Sequence, residues 1–530
     1  MGIIKTTCPM DCPDTCTLDV HVRDGRVTEI RGAVDGALTN GFICTKVAKF
    51  GRRQYHKDRL LTPLRRVGPK GSGRFEPIDW DSAVDLISGE FKMRAREHGA
   101  ESIVPYSYGG SNGFLTDGFV DQAYFARLGA SRIAKTLCAA PSGAAATGMY
   151  GKMPGVAFQD YVHTDFITVW GANPKVSNIH LVPFLKQAKR NGAFVAAVDP
   201  VQNFSSAEID LHIPVYPGTD LALALTLIRL WRDWGALDDE FLRANTRNLD
   251  AILVACEEWP LKRGADVSRV PEESIGLLAR EWAARSPAVV RCGWGAERNR
   301  NGGGALAALM AIPALLGKFG VRGGGYTMSN SGAATFDRES LGVTEGASRV
   351  LNMTRLARIL LELDDPRAMA LFVYNCNPVA TAPDQNRIIK GLEREDLFTV
   401  VFDQVMTDTA KFADIVLPAA TFLEGYDVKG AYGNYVVGGT VPAVEPEGEA
   451  RTNPDVFRAL ANAMGWTEPP FDLDVRDQFD AVASRVTLAG GTAATERLAT
   501  GGTAAHDFPG LPVQFETVFP RTDDGKIDLA

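Results

Sequence analysis

The sequence has no apolar run approaching the roughly 18–20 residues that a membrane span requires. The nearest, Ala305–Leu316, is shorter and rich in small side chains, so it reads as a buried helix. Nor is there an excess of basic charge: 56 Lys and Arg stand against 64 Asp and Glu, a formal net charge of −8, with the basic residues scattered. That pattern excludes a phosphate-tracking stripe and a polybasic patch, so neither a nucleic-acid partner nor membrane insertion is expected. Met1-Gly2-Ile3-Ile4-Lys5 is followed by neither a twin-arginine pair nor an apolar leader core, which sets a cytoplasmic expectation. No G-x-G-x-x-G fingerprint follows a candidate strand, which argues against nicotinamide or flavin.

What is present describes a multidomain α/β chain. With 530 residues, 45% hydrophobic and 23% charged, and with 53 glycines, the sequence is globular and loop-rich. It is too long for one core and suggests roughly three or four units.

Of eight cysteines, four fall within the first 44 residues and four are dispersed singly, a distribution that favours a metal over disulfides. Cys8, Cys12, Cys16 and Cys44 spell C-x3-C-x3-C-x27-C, with Pro9, Pro13 and two Asp residues stiffening the first loops. The segment Cys16–Gly32 alternates as a hairpin turning at Asp24-Gly25, which returns the chain toward the fourth thiol. Zinc and an iron-sulfur cluster both accept four cysteines. Zinc sites mostly use paired knuckles, so three close ligands and one remote favour a [4Fe-4S] cluster.

Two downstream segments share one spacing. Phe166–Trp170, Gly171, Asn173-Pro174, a helical stretch and Phe194–Asp199 are matched by Leu371–Tyr374, Asn377-Pro378, a helical stretch and Phe398–Asp403. In both, a further Asp (Asp210, Asp414) and then a Pro (Pro214, Pro418) follow at equal intervals. Two copies of one unit are expected, each a right-handed βαβ crossover in a parallel sheet covered on both faces. Ligands of such sheets sit beyond the carboxyl ends of the strands, so each repeat offers a nucleotide site. A strand-end Asp there can accept from ribose or guanine, or can merely cap a turn.

Between these regions, Cys138 precedes Ala139-Ala140-Pro141-Ser142-Gly143-Ala144. Small side chains admit a bulky ligand, and a thiolate suits a sulfur-ligated, high-valent metal. The plainer alternative is an ordinary buried cysteine, the reading given to Cys256 and Cys292.

The cysteine array followed by Thr45-Lys46, with Tyr55-His56-Lys57-Asp58-Arg59-Leu60-Leu61-Thr62-Pro63-Leu64, resembles the opening of the dimethyl sulfoxide reductase superfamily of molybdopterin oxidoreductases, which includes formate dehydrogenases and nitrate reductases. The resemblance implies a catalytic subunit with a [4Fe-4S] cluster and a molybdenum or tungsten bis-molybdopterin guanine dinucleotide. It implies Cys138 as the metal's protein ligand and Lys46 on the electron path between cluster and pterin. It places dinucleotide contacts at Trp170, Gly171, Asn173, Asp199, Pro217, Gly218, Thr219, Asp220, Gly293, Trp294, Gly295, Asn377, Pro378, Asp403 and Thr407. Pro217–Asp220 also opens a helix, Leu221–Trp234, where its Thr and Asp could serve as caps.

Formate dehydrogenases of the family place histidine after the ligand, where this chain has Ala139. That leaves His163, His180 and His212 as candidate acid-base groups. Tyr106–Gly113 is a candidate lining for a substrate funnel.

The implied activity is two-electron redox of a small molecule, with electrons leaving through the cluster to a partner protein. The alternatives are an acetylene-hydratase-like lyase, which wants Asp where Pro13 stands, and a non-catalytic electron-conducting subunit. The expected organisation is a small iron-sulfur β-domain at 1–60 and two Rossmann-like parallel-sheet lobes related by the repeat. The first lobe is placed at 135–337 and the second is split between 61–134 and 338–530. The family's C-terminal barrel would begin where this sequence stops, at Gly525–Ala530, which leaves a truncated sequence or an incomplete cradle as readings.

Overall fold

The N-terminal segment forms a three-stranded antiparallel sheet of Gly2–Thr7, Thr17–Arg23 and Arg26–Gly32. Leu18, Val20, Val27 and Ile30 are buried against Cys8 and Cys16, as the period of two requires. The hairpin turns at Asp24-Gly25, both at positive φ, the conformation a two-residue hairpin loop needs. The computed structural model describes residues 2–36, 38–488, 495–505 and 511–530.

The first repeat lies in a five-stranded sheet ordered 211–213, 194–198, 166–170, 288–292, 325–327, with every neighbouring pair parallel. Alternate residues feed opposite faces. Phe166, Trp170, Ala196 and Val198 pack under the helices Asp220–Asp233 and Gly302–Leu315, while Ile167, Val169, Val195 and Ala197 pack under Leu181–Arg190. Both faces are covered, which is why these strands read as unbroken apolar runs.

The second repeat lies in a six-stranded sheet ordered 75–77, 64–66, 415–418, 398–403, 370–374, 103–107. Its last four strands are parallel, but 64–66 and 75–77 form a hairpin added antiparallel to the edge. The parallel sheet expected here is therefore mixed, because the short connection between those two strands can join only antiparallel neighbours.

The two repeats agree in detail. Asn173 and Asn377 adopt nearly the same backbone conformation (φ −116°, ψ 85° and φ −123°, ψ 81°), each preceding a four-residue helix that starts on proline. Asp210 exchanges two 2.8 Å bonds with the Val195 backbone, N–H to carbonyl and carboxylate from N–H. Asp414 does the same with Thr399 at 2.7 Å.

The helix Trp80–His98 is capped by Asp79, whose side chain accepts from Ser82 N–H at 2.7 Å. Asp79 has the extended backbone a cap needs, and Asp81 lies inside the first turn. Among the described residues no helix is long and apolar enough to cross a membrane.

A third small sheet, Asp427–Gly430, Val436–Thr440 and Thr503–Ala505, receives the N-terminal strand. Thr6 Oγ1 donates to the Val441 carbonyl (2.8 Å) and accepts from its N–H (2.9 Å), and Thr440 Oγ1 donates to the Thr7 carbonyl (2.8 Å). These bonds fix the cysteine loops against the lobes.

Candidate functional site

The hairpin returns the chain as expected, and Cys8, Cys12, Cys16 and Cys44 come within electrostatic reach of one another. Burial pushes the Cys8 thiol up to about 11 and the Cys12 thiol up to about 12, with neighbouring cysteines adding to the rise and the Lys429 ammonium opposing it. Cys16, facing Cys8, Cys12 and Cys44, is raised further still by burial. Zinc holds its sulfurs at about 2.3 Å from one centre, whereas a four-iron cluster spreads thiolates over its corners. A donor set of four thiols fits that cluster.

The loops around the cysteines are held from three sides. Lys429, 1% exposed, donates from Nζ to the carbonyls of Met10 (2.6 Å) and Cys12 (2.8 Å). His180 is buried, with Nδ1 2.8 Å from Asp14 Oδ2 and 3.9 Å from Cys16 Sγ, and Nε2 2.8 Å from the Phe42 carbonyl. Met10 bridges Ser111 in antiparallel fashion, Asp11 N–H donates to the Gly110 carbonyl and Asn112 N–H to that of Pro9, both at 2.8 Å. Lys46 is exposed in the short helix Thr45–Ala48 and makes no hydrogen bond or ion pair among the described residues.

Cys138 is half-buried in the bend between the strand Arg132–Ala134 and the helix Ala140–Tyr150. The Tyr108 hydroxyl lies beside it, and burial with the neighbouring Cys138 charge raises that hydroxyl above the usual tyrosine range. Tyr432 Oη donates to Asp11 Oδ1 at 2.9 Å, as does Asn112 Nδ2, and burial raises Tyr432 as well. Both phenols are therefore protonated donors at neutral pH. The cluster loop, the 108–112 segment and Cys138 form one connected frame. A cavity of about 190 Å³ adjoins it, lined by Ala139, Ser142, Gly143, Trp294 and Tyr326 among others.

The expected contacts of the first repeat converge at the carboxyl ends of its strands. Gly293 N–H donates to the Trp170 carbonyl (2.7 Å) and Gly295 N–H to that of Gly171 (3.0 Å). A Cβ on Gly293 would overlap the Gly171 carbonyl, and one on Gly295 would lie 2.6 Å from it, so the loops cross backbone on backbone. Gly218 lies beside Asn299. Trp170 is fully buried, and its Nε1 donates to Asp220 at 2.8 Å, so those two side chains are committed to each other. Thr219 Oγ1 donates to the Tyr216 carbonyl and caps nothing. Asp199 accepts from Val201 N–H, and its carbonyl meets His212 Nε2 at 2.9 Å. Asn173 Oδ1 and Trp294 Nε1 are buried without hydrogen-bond partners among the described residues.

In the second repeat Asn377, Asp403 and Thr407 line one cavity of about 400 Å³ with Cys376, Arg53, Ser111 and Asp427. Asn377 Oδ1 accepts from Thr409 Oγ1 (2.6 Å), which fixes the turn that opens on Pro378, and burial raises the Asp403 carboxyl. Ser111 lines this cavity, and its Oγ is buried without a hydrogen-bond partner among the described residues.

Residues 59–463 match the molybdopterin oxidoreductase family, and residues 1–56 match the molybdopterin oxidoreductase Fe4S4 domain. The chain belongs to the molybdopterin oxidoreductase family. It is accordingly an enzyme, and the family's [4Fe-4S] cluster and molybdenum or tungsten molybdopterin are its cofactors. It is similar to the probable oxidoreductase YoaE of Bacillus subtilis (strain 168), 36% identical over 88% of this chain and 69% of that one. It is also similar to the assimilatory nitrate reductase catalytic subunit of the same organism, 26% identical over 86% and 67%. Acetylene hydratase from Pelobacter acetylenicus shares the fold, with a TM-score of 0.83 over 99% of this chain and 77% of that one at 23% identity.

Sequence reasoning missed Lys429, Tyr432 and Asp427, all of which act on loops distant in the chain, and read Asp14 only as stiffening the cysteine loops, whereas it also holds Asn178 and His180. It named His180 only as an acid-base candidate, whereas the structure places it against the cysteine loops. His163 is exposed at the end of the turn Phe158–His163.

Proposed function

We propose that this chain is the catalytic subunit of a two-electron oxidoreductase acting on a small molecule, with electrons leaving singly through the N-terminal cluster to a partner protein. The observation that carries it is the connected frame: the loop of Cys8–Cys16 is bonded to the 110–112 segment, and Tyr108 of the same stretch lies close enough to Cys138 to feel its charge. A redox centre at Cys138 would thus be rigidly placed relative to an electron carrier.

In this reading Cys138 ligates the metal, and Cys8, Cys12, Cys16 and Cys44 ligate the cluster. Asn173, Gly218 and Gly293–Gly295 border one half of a bis-pterin guanine dinucleotide. Asn377, Asp403 and Thr407 border the other, in the 400 Å³ cavity. When bound, the pterin-held metal supplies the two-electron step and the cluster supplies one-electron transfer. The chain's own residues position and tune. Tyr108 lies beside Cys138, Tyr432 and Asn112 hold the Asp11 carboxylate at Oδ1, and exposed Lys46 is available to meet the cofactor.

Anaerobic purification with elemental analysis, followed by a dye-linked screen of formate, nitrate, thiosulfate and polysulfide, tests this. Four irons and one molybdenum or tungsten per chain with dye reduction or oxidation are expected. Iron without either metal would favour a conducting subunit, and water addition without dye turnover would favour a lyase.

A further inference from the structure

The loop after the strand Ala288–Cys292 has two ends with different contacts. Its start, Gly293–Gly295, crosses the Trp170-Gly171 turn. Its end, Glu297-Arg298, reaches the Cys138 segment on both sides. Ser142 N–H donates to Glu297 Oε2 at 2.8 Å, and Arg298 Nη1 donates to the Leu137 carbonyl at 2.7 Å. The two side chains pair with each other, Nη1 to Oε1 at 3.3 Å, with Glu297 wholly buried and Arg298 half exposed.

The need for such a grip is local. The helix Ala140–Tyr150 starts after Ala139, whose methyl cannot cap, and Pro141 brings no N–H, so the first-turn amide of Ser142 needs an acceptor from elsewhere. A carboxylate at that end also complements the helix dipole. Glu297 is that acceptor, and its burial leaves Oε1 with Arg298 as its one partner among the described residues. Bonds to charged groups are the stronger kind, so the backbone is pinned immediately before Cys138 and again at Ser142.

We propose that Glu297-Arg298 is the positioning element of the metal-ligand thiolate, and that the 293–298 loop ties the aim of Cys138 to the dinucleotide side of the site. Neither residue touches the metal. The proposal rests on the reading of Cys138 as ligand, so Cys138→Ser belongs in the same experiment.

Amide exchange of the full-length chain, resolved at Ser142 by mass spectrometry, is expected to rise at least tenfold in Glu297→Ala and to return toward wild type in Glu297→Gln, whose amide oxygen still accepts. In metal-loaded enzyme, X-ray absorption at the metal edge is expected to show altered sulfur scattering in Glu297→Ala and Arg298→Ala, with iron content unchanged. Arg298→Ala, at a half-exposed side chain, carries the test should Glu297→Ala not fold. Wild-type exchange and wild-type scattering in these variants, alongside an altered spectrum in Cys138→Ser, would overturn the positioning role alone. An unaltered spectrum in Cys138→Ser would overturn the ligand assignment on which it rests.

Discussion

At the scale of single residues, Asp427 shows how a buried carboxyl can govern a neighbourhood. It accepts from Leu115 N–H (2.8 Å) and Thr116 Oγ1 (2.6 Å), and Gly113 lies so close that any Cβ there would overlap the carboxylate. Gly113→Ala should therefore cost about 1–3 kcal/mol by overpacking, read as a lowered unfolding midpoint. Burial pushes Asp427 up to about 6 from 3.8. Below pH 3.8 folded and unfolded chains both hold the proton. Between there and about pH 6 the unfolded chain has lost it while the fold retains it, so stability falls across that window by about 3 kcal/mol. Asp121, also raised by burial to about 6, adds a second slope of the same sign. Asp427→Asn should thus lose less stability than wild type when denaturation is compared at pH 4 and pH 7; an identical loss would remove Asp427 from the account. None of this was legible beforehand, because a lone Asp in a sequence carries no mark of what will enclose it. Cys138 stood out in the sequence through its setting of small residues and through the family resemblance.

At the scale of elements, the repeat was the most readable feature, because Asn-Pro, strand-end Asp and the later Asp recur at one offset, and each pair takes the same local geometry. The edge hairpin 64–66 and 75–77 was not readable, since three-residue strands show no period. The repeats also differ in a way that only packing reveals. Asp210 pairs with Lys189, whose side chain is 27% exposed, whereas Asp414 pairs with Arg66 (2.8 Å) and Lys70 (3.0 Å), the latter 1% exposed. Burial lowers the Lys70 pKa, and Asp414 opposes that shift. Asp414→Ala strands a buried ammonium and should cost about 3–5 kcal/mol, while Asp210→Ala should cost about 1 kcal/mol. Chemical denaturation of the two variants gives the order directly, and equal losses would contradict it.

At the scale of the whole molecule, residues from opposite ends of the chain build the cluster pocket. The cysteines and their hairpin were visible in the first tenth of the sequence, but Lys429 and the strand Val436–Thr440 with Val441 that seat them were not, being some four hundred positions away. On the proposed ligation by Cys8 and Cys12, whose thiols burial raises to about 11 and 12, iron displaces protons on binding, so reconstitution of metal-free protein should be more complete at pH 8.5 than at pH 6.5. Lys429→Met should shift that dependence to higher pH, since its ammonium opposes the rise. It should also lower the cluster's reduction potential by on the order of 60 mV, the one-electron equivalent of about 1.4 kcal/mol, in an EPR-monitored titration. An unchanged potential would show that the buried cation serves only the loop carbonyls.

The crossing of the 171 and 293–295 turns carries a consequence for heredity. Two stretches of main chain touch where even a methyl has no space, so no compensating change in a neighbouring side chain can make room. In a saturation library selected for folded protein, codons 293 and 295 should tolerate glycine alone, two empty columns in the map, while exposed Lys46 at the other end of the frame should accept most replacements for folding and be constrained only when turnover is selected.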